Sequence, residues 1–244
     1  MNAKRFGLAS LCAAVLVTLL AQPAAAQSVS AELINGLNEK LLVVAIPITL
    51  LVEGILIYAV LKFRGNDEPQ PTKENRRLEI TWTIATAVIL LFVGVASYGV
   101  MANDTVEFTG GEEEIAPDEN DVLVEANAYQ WGWNMQYPEQ NVWVNGTGQG
   151  PTVVLPANQD VYFSVSSDDV IHGFHAPELG LKTDAIPNQQ NYLKTNISET
   201  GTYQGYCSEY CGIAHSQMYF NIKVVDQAEY EEWLAEQTGD GASA

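Results

Sequence analysis

Residues 205–218 read GYCSEYCGIAHSQM, which places two cysteines, a glutamate, a histidine and a methionine within fourteen positions. No other stretch of the chain crowds cysteine, histidine and methionine so closely, so what it binds decides which scaffold must hold it. Thiolate, imidazole and thioether are soft or borderline ligands, a set that selects copper or zinc over magnesium or calcium. Cys207 and Cys211 stand at i and i+4, His215 four residues on, and Met218 three beyond that. A blue copper site uses one cysteine, two histidines and a weak methionine. Two cysteines with two histidines can hold one tetrahedral zinc, although the usual Cys-x2-Cys pairing is absent and structural zinc rarely recruits methionine. A loop that turns both sulfurs inward can instead bridge two coppers, each capped by one histidine, with Met218 and a backbone carbonyl in the weak positions. Any of these needs a second imidazole, and only His172 and His175 remain. A Cys207–Cys211 disulfide is the metal-free alternative outside the cell; the histidine and methionine at fixed offsets favour metal.

Working outward, the residues after 121 fall into short alternating or β-branched runs: VLVEANAYQW (122–131), NVWV (141–144), TVVL (152–155), VYFSVSS (161–167), YLKTNI (192–197) and YFNIKVV (219–225). NGTGQGP, PANQD and SETGT punctuate them as turns. Many short strands at this spacing predict an all-β sandwich or barrel over 122–226. QAEYEEWLAEQ predicts one short helix in a C-terminal segment, 227–244.

Upstream lie two apolar stretches. Leu41–Leu61, 21 residues, measures about 31 Å as a helix and is long enough to cross a bilayer. It carries Pro47 and Glu53, and a carboxyl at that depth is expected to face protein or water. Ile80–Met101 follows, with Trp82 at the interface. We expect a two-helix membrane hairpin over 27–101. At the N-terminus Lys4 and Arg5 precede the apolar run Phe6–Leu20 and the small residues Ala24 and Ala26, which predicts a signal peptide over 1–26. Lys62, Arg64, Lys73, Arg76 and Arg77 put the loop between the helices in the cytoplasm. A plasma-membrane protein with its β domain outside results. Residues 102–121 read as an acidic linker, and Cys12, inside the leader, carries no role.

The formal net charge is -19, and residues 102–244 hold 23 Asp and Glu against Lys182, Lys194 and Lys223, a balance of 3 minus 23, or -20. No cationic surface exists to replace phosphate counterions, which excludes nucleic acid as a partner. The surplus suits either a docking field for a basic protein or a salt-saturated habitat that screens self-repulsion. The absence of arginine after Arg77 suits the second better, and we expect a halophilic source.

Together CSEYCGIAHSQM, DVIHGFHAPELGLKTDAIP, YQWGW and the hairpin resemble subunit II of the haem–copper cytochrome c oxidases, across residues 40–235. The resemblance implies a cupredoxin-like Greek-key domain carrying the binuclear copper centre CuA. Cys207 and Cys211 would bridge two copper ions, His172 and His215 would be terminal imidazoles, and Met218 and the Glu209 carbonyl weak ligands. It further implies that the Glu209 carboxylate joins a magnesium site shared with the large subunit. Trp131 would receive electrons from a soluble donor, a cytochrome c or a small copper protein, and Glu79 would mark the mouth of a proton pathway. His175 would not be a ligand. The chain departs from the pattern at Tyr129, where histidine is common, and at Asn188, where glycine is common; Asn tolerates positive φ best among the others. Because both cysteines are present, the copper-free quinol oxidase branch does not fit. A copper carrier would use more exposed Met- or His-rich sites, and the large extra domain of nitrous oxide reductase is absent.

Overall fold

The computed structural model describes residues 27–71, 73–109, 115, 118, 121–144 and 150–239. The expected signal peptide, part of the acidic linker and the last five residues lie outside this set.

Helix α1, Val29–Phe63, is capped by Ser28, whose hydroxyl accepts from the Ala31 amide at 3.1 Å. It begins well before the apolar run at 41, because the Ser28 cap and Glu32 in the first turn nucleate it in polar sequence. Helix α2, Arg76–Met101, starts at Asn75, which caps Leu78 N–H at 3.1 Å. Neither apolar stretch buries a residue within the chain, so the hairpin needs a bilayer or another protein around it. On this ground the chain is a membrane protein.

Among the described residues ten strands follow, in two five-stranded sheets packed face to face. β1 (Val122–Tyr129), β2 (Gly132–Tyr137), β3 (Val142–Val144), β5 (Asp160–Ser167) and β8 (Asn191–Asn196) form the first, in the order β3-β2-β1-β5-β8. β4 (Thr152–Pro156), β6 (His172–Ala176), β7 (Leu181–Ala185), β9 (Gly201–Cys207) and β10 (Tyr219–Val225) form the second, in the order β4-β10-β9-β6-β7. β1 and β5 pair in parallel, as do β4 and β10; the other ladders are antiparallel. The alternation read in β1 holds, with Val124, Ala126 and Ala128 inward. Asn188 takes φ 60°, as its residue type allows.

The core centres on aromatic rings. Phe174 and Phe220 stack at 4.4 Å, and Trp133 meets both edge-on at 5.7 and 5.4 Å. Tyr137 crosses the sandwich to donate to the Val154 carbonyl at 2.6 Å and accept from its amide at 2.8 Å. Helix α3, Gln227–Thr238, starts at the Asp226 cap and lays Trp233 against Tyr137 at 5.3 Å.

The start of α1 is clasped to this domain. Ser28 donates to the Leu179 carbonyl at 2.6 Å, Ser30 to the Thr105 carbonyl at 2.5 Å, and the Gln27 carbonyl accepts from Ser198 at 3.1 Å. Phe108, in the segment read as linker, sits edge-on to Tyr162 at 5.7 Å.

Glycine at 205 is what lets the Phe220 ring lie on β9: a Cβ there would fall 2.1 Å from the ring. Gly205→Ala should therefore cost about 1–3 kcal/mol by overpacking, measured as a lower midpoint in chemical unfolding. An unchanged midpoint would mean that the ring has room to move aside.

Candidate metal centre

The site is built where β9 ends and β10 begins. Cys207 is the last residue of β9 and Met218 stands just before β10. The Cys207 amide donates to the Met218 carbonyl at 2.9 Å, closing the loop at its base, and Ser208 N–H ties it to the Gly173 carbonyl of β6 at 2.9 Å. Within the loop, Gly212 at φ +128° turns the chain into the 3-10 turn His215–Gln217. β6 pairs with β9, Phe174 opposite Cys207, and so delivers His172 to the same place.

The two sulfurs lie 3.8 Å apart, far beyond a disulfide bond of about 2.05 Å. His172 Nδ1 is 3.8 Å from Cys207 Sγ, and the Cys207 thiol donates to the Glu209 carbonyl at 3.2 Å. At the other end His215 Nδ1 is 3.6 Å and Met218 Sδ 3.3 Å from Cys211 Sγ. Each sulfur thus has one imidazole nitrogen and one weak donor beside it. Metal–sulfur bonds of about 2.3 Å let two sulfurs share an ion when they are up to about 4.6 Å apart, and these meet that condition. His172, Cys207 and Cys211 converge most tightly, their ligand atoms within 4.8 Å of one another. His172 is fully buried, Cys207, Cys211 and Met218 nearly so, and His215 half-buried. The donor set, desolvated and soft, fits copper.

Burial, then the neighbouring Cys207, pushes the Cys211 thiol up to about 12. A metal-free site therefore keeps that proton at neutral pH, and an incoming ion must displace it.

Asp169 was not among the residues singled out in the sequence. Its carboxylate accepts from His172 Nε2 at 2.9 Å, Gln130 N–H at 2.7 Å and Val170 N–H at 2.6 Å. Burial opposes its charge, yet the bonds from His172, Val170 and Gln130 prevail and hold it below the usual carboxylate range. With Nε2–H committed to Asp169, Nδ1 is left as the lone pair facing Cys207. Its only sequence signal is a carboxylate three positions before a histidine.

Trp131, half-exposed at 41%, donates from Nε1 to the Cys211 carbonyl at 3.3 Å, and Gln130 Nε2 donates to the same oxygen at 2.6 Å. The indole lies over Gly212, where a Cβ would come within 3.0 Å of Nε1. The Gln130–Trp131 peptide is cis. His175 points to the other face of β6, edge-on to Tyr206 at 5.1 Å, and does not join the cluster. Burial, then Lys182, lowers its pKa. Glu79, in the first turn of α2, lies about 33 Å of helix from Met101 and is not brought to the site. The Glu209 carboxylate side is exposed.

Two family descriptions match the chain: cytochrome c oxidase subunit II, periplasmic domain, over residues 148–225, and its transmembrane domain, over residues 14–100. A probable cytochrome c oxidase subunit 2 of Rickettsia bellii is 32% identical over 222 residues, covering 84% of this chain and 79% of the relative. Cytochrome c oxidase subunit 2 of Cereibacter sphaeroides is 32% identical over 253 residues, covering 89% and 80%. The chain belongs to the cytochrome c oxidase subunit II family. It is thus a membrane-bound part of an oxidoreductase, with a cupredoxin-like β domain and a Cys/His cluster consistent with a copper site. The crystal structure of the periplasmic domain of subunit II from Bradyrhizobium japonicum aligns at 30% identity over 51% of this chain and 99% of that one, with a TM-score of 0.46.

Because the Cys211 proton must leave, copper affinity of this subunit should rise with pH, by about tenfold per unit for each proton displaced between pH 6 and 8. Copper titration against a competing chelator measures it; an affinity flat over that range would mean that the thiol is already ionised.

Proposed function

We propose that this subunit accepts electrons from a soluble donor at a binuclear copper centre and passes them to the haem-bearing large subunit, where oxygen is reduced to water. The observation that carries this reading is the paired donor set: two sulfurs 3.8 Å apart, each flanked by one imidazole and one weak donor. Cys207 and Cys211 would hold the copper through their thiolates, His172 and His215 through their imidazoles, and Met218 and the Glu209 carbonyl would be the weak donors. When bound, the two coppers supply a one-electron couple shared across the sulfurs.

The chain's own residues do the rest. Asp169 locks the His172 ring, the loop base holds both sulfurs on a rigid ladder, and burial keeps water away, so little rearranges as charge changes. Trp131 offers an indole between solvent and Cys211 and is our choice for the residue that receives the electron. Tyr210 and Ile213 of the sulfur-bearing loop and Ile171 beside His172 stand exposed at 83, 89 and 52%, apolar surface on which a donor protein can seat. The basic loop at 62–77 supports an extracytoplasmic β domain. We further assign the Glu209 carboxylate to a magnesium site shared with the large subunit, Glu79 to a proton-pathway mouth there, and the acidic surplus to a halophilic source. Domain limits remain as read above: leader 1–26, hairpin 27–101, linker 102–121, copper domain 122–226 and tail 227–244.

The full chain, purified in detergent and loaded with copper, should bind two ions and give an electron paramagnetic resonance spectrum of one electron shared by both. One copper with a single-nucleus pattern would overturn the binuclear reading. Trp131→Gln should leave copper content and spectrum intact while slowing reduction by the donor; equal slowing of both steps of turnover would remove Trp131 from this role. For the halophilic source, unfolding against KCl should show stability falling from molar to low salt; constant stability would sink it.

A further inference from the structure

Glu53 is a carboxyl in the middle of the first apolar span, exposed on the chain. Within the apolar run Leu41–Leu61 it lies about 18 Å of helix from the first residue and about 12 Å from the last, near the bilayer centre. Among the described residues its carboxylate takes part in no hydrogen bond or ion pair. A carboxyl at that depth is costly unless it meets protein or a water-filled cavity.

Helix α2 is not what it meets. The half-buried positions in the apolar run of α1 are Leu41, Val44 and Ala59. At about 100° per residue they cluster on the side turned to α2, roughly 120° or more around the helix from Glu53. Glu53 instead shares a stripe with Leu42, Ile46, Thr49, Leu56 and Val60, all exposed. Thr49 adds an independent sign. In α2, Thr81, Thr83 and Thr86 each fold the hydroxyl back onto the carbonyl four residues earlier, at 2.8, 2.8 and 2.9 Å. Thr49 makes no such bond among the described residues, so two polar groups one turn apart on a single stripe are turned outward.

From this stripe we infer that the Thr49–Glu53 face of α1 packs against a transmembrane helix of another oxidase subunit that presents a hydrogen-bond donor side chain to the Glu53 carboxyl. Charge and hydrogen-bond complementarity fix that partner's chemistry: an all-apolar helix would leave both polar groups of the stripe unsatisfied. The inference rests on the reading of the chain as an oxidase subunit and adds the contact by which it is held in the membrane.

The test uses the intact oxidase in native membranes and dicyclohexylcarbodiimide, which modifies carboxyls that face lipid, read by peptide mass spectrometry. Glu53 should stay unmodified. In parallel, subunit II retention is measured through detergent purification of the complex. Glu53→Gln, which keeps a carbonyl acceptor, should retain near-normal amounts, whereas Glu53→Leu should reduce retention about tenfold, because the partner's donor is left buried and unpaired. A lipid-facing Glu53 gives the opposite pattern: ready modification, and a Glu53→Leu variant retained as well as or better than the parent. That result, or contact of Glu53 with a second copy of this chain in crosslinking, overturns the inference while leaving the copper reading intact. If the unaltered chain fails to co-purify with any oxidase subunit, both fall.

Discussion

The hydrogen bond from the Cys207 amide to the Met218 carbonyl, 2.9 Å long, is the closure on which the rest of the site depends. It sets β9 and β10 in register, Tyr206 opposite Tyr219, and so fixes both ends of a loop that must turn two sulfurs toward each other. β6, paired to β9 on its other edge, then has one place to leave His172. Beneath the loop, the stacked rings of Phe174 and Phe220 belong to those same neighbouring strands. Hydrophobic burial and donor placement are therefore one construction: the rings that hold the sheets together also set the floor of the candidate metal centre.

That construction also explains the electrostatics. Bringing two thiols within 3.8 Å in a desolvated pocket makes a second negative charge there expensive, and the Cys211 thiol holds its proton accordingly. A doubly charged soft cation reverses the balance, since it replaces the proton and neutralises both sulfurs. Asp169 is the complement. It stays charged at the site's edge because three donors face it, and it orients an imidazole that is itself fully buried. On a surface otherwise rich in carboxylates, this one is set apart by its partners rather than by its type.

The sequence made the strand-rich domain, the two apolar spans and the sulfur-rich loop 207–218 legible, because alternation, span length and residue spacing are local patterns; the choice of His172 over His175 came from the family resemblance alone. The β1–β5 and β4–β10 parallel pairings were not, since nothing in adjacent residues encodes which distant strand lies alongside. The extent of α1 was under-read: hydropathy marks where lipid begins, whereas the helix starts where Ser28 caps it, in polar sequence. Asp169 and Gln130 were missed for a related reason. They act through groups three and eighty-one positions away, and no spacing rule covers a backbone carbonyl such as that of Cys211. Phe108 was read as part of a solvated linker, yet it finds an aromatic neighbour in Tyr162, a contact no linear motif announces.

The clasp at the start of α1 gives the β domain a second point of attachment. The chain enters the domain from the end of α2; Ser28 holds the domain again through Leu179, and Ser30 ties α1 to Thr105 in the segment that leads out of α2. A body hung from one flexible strap can swivel; one pinned at two separated points cannot. Two serines near the membrane surface thus act as the stops on a hinge, and they limit how far the β domain can turn on the helices that carry it.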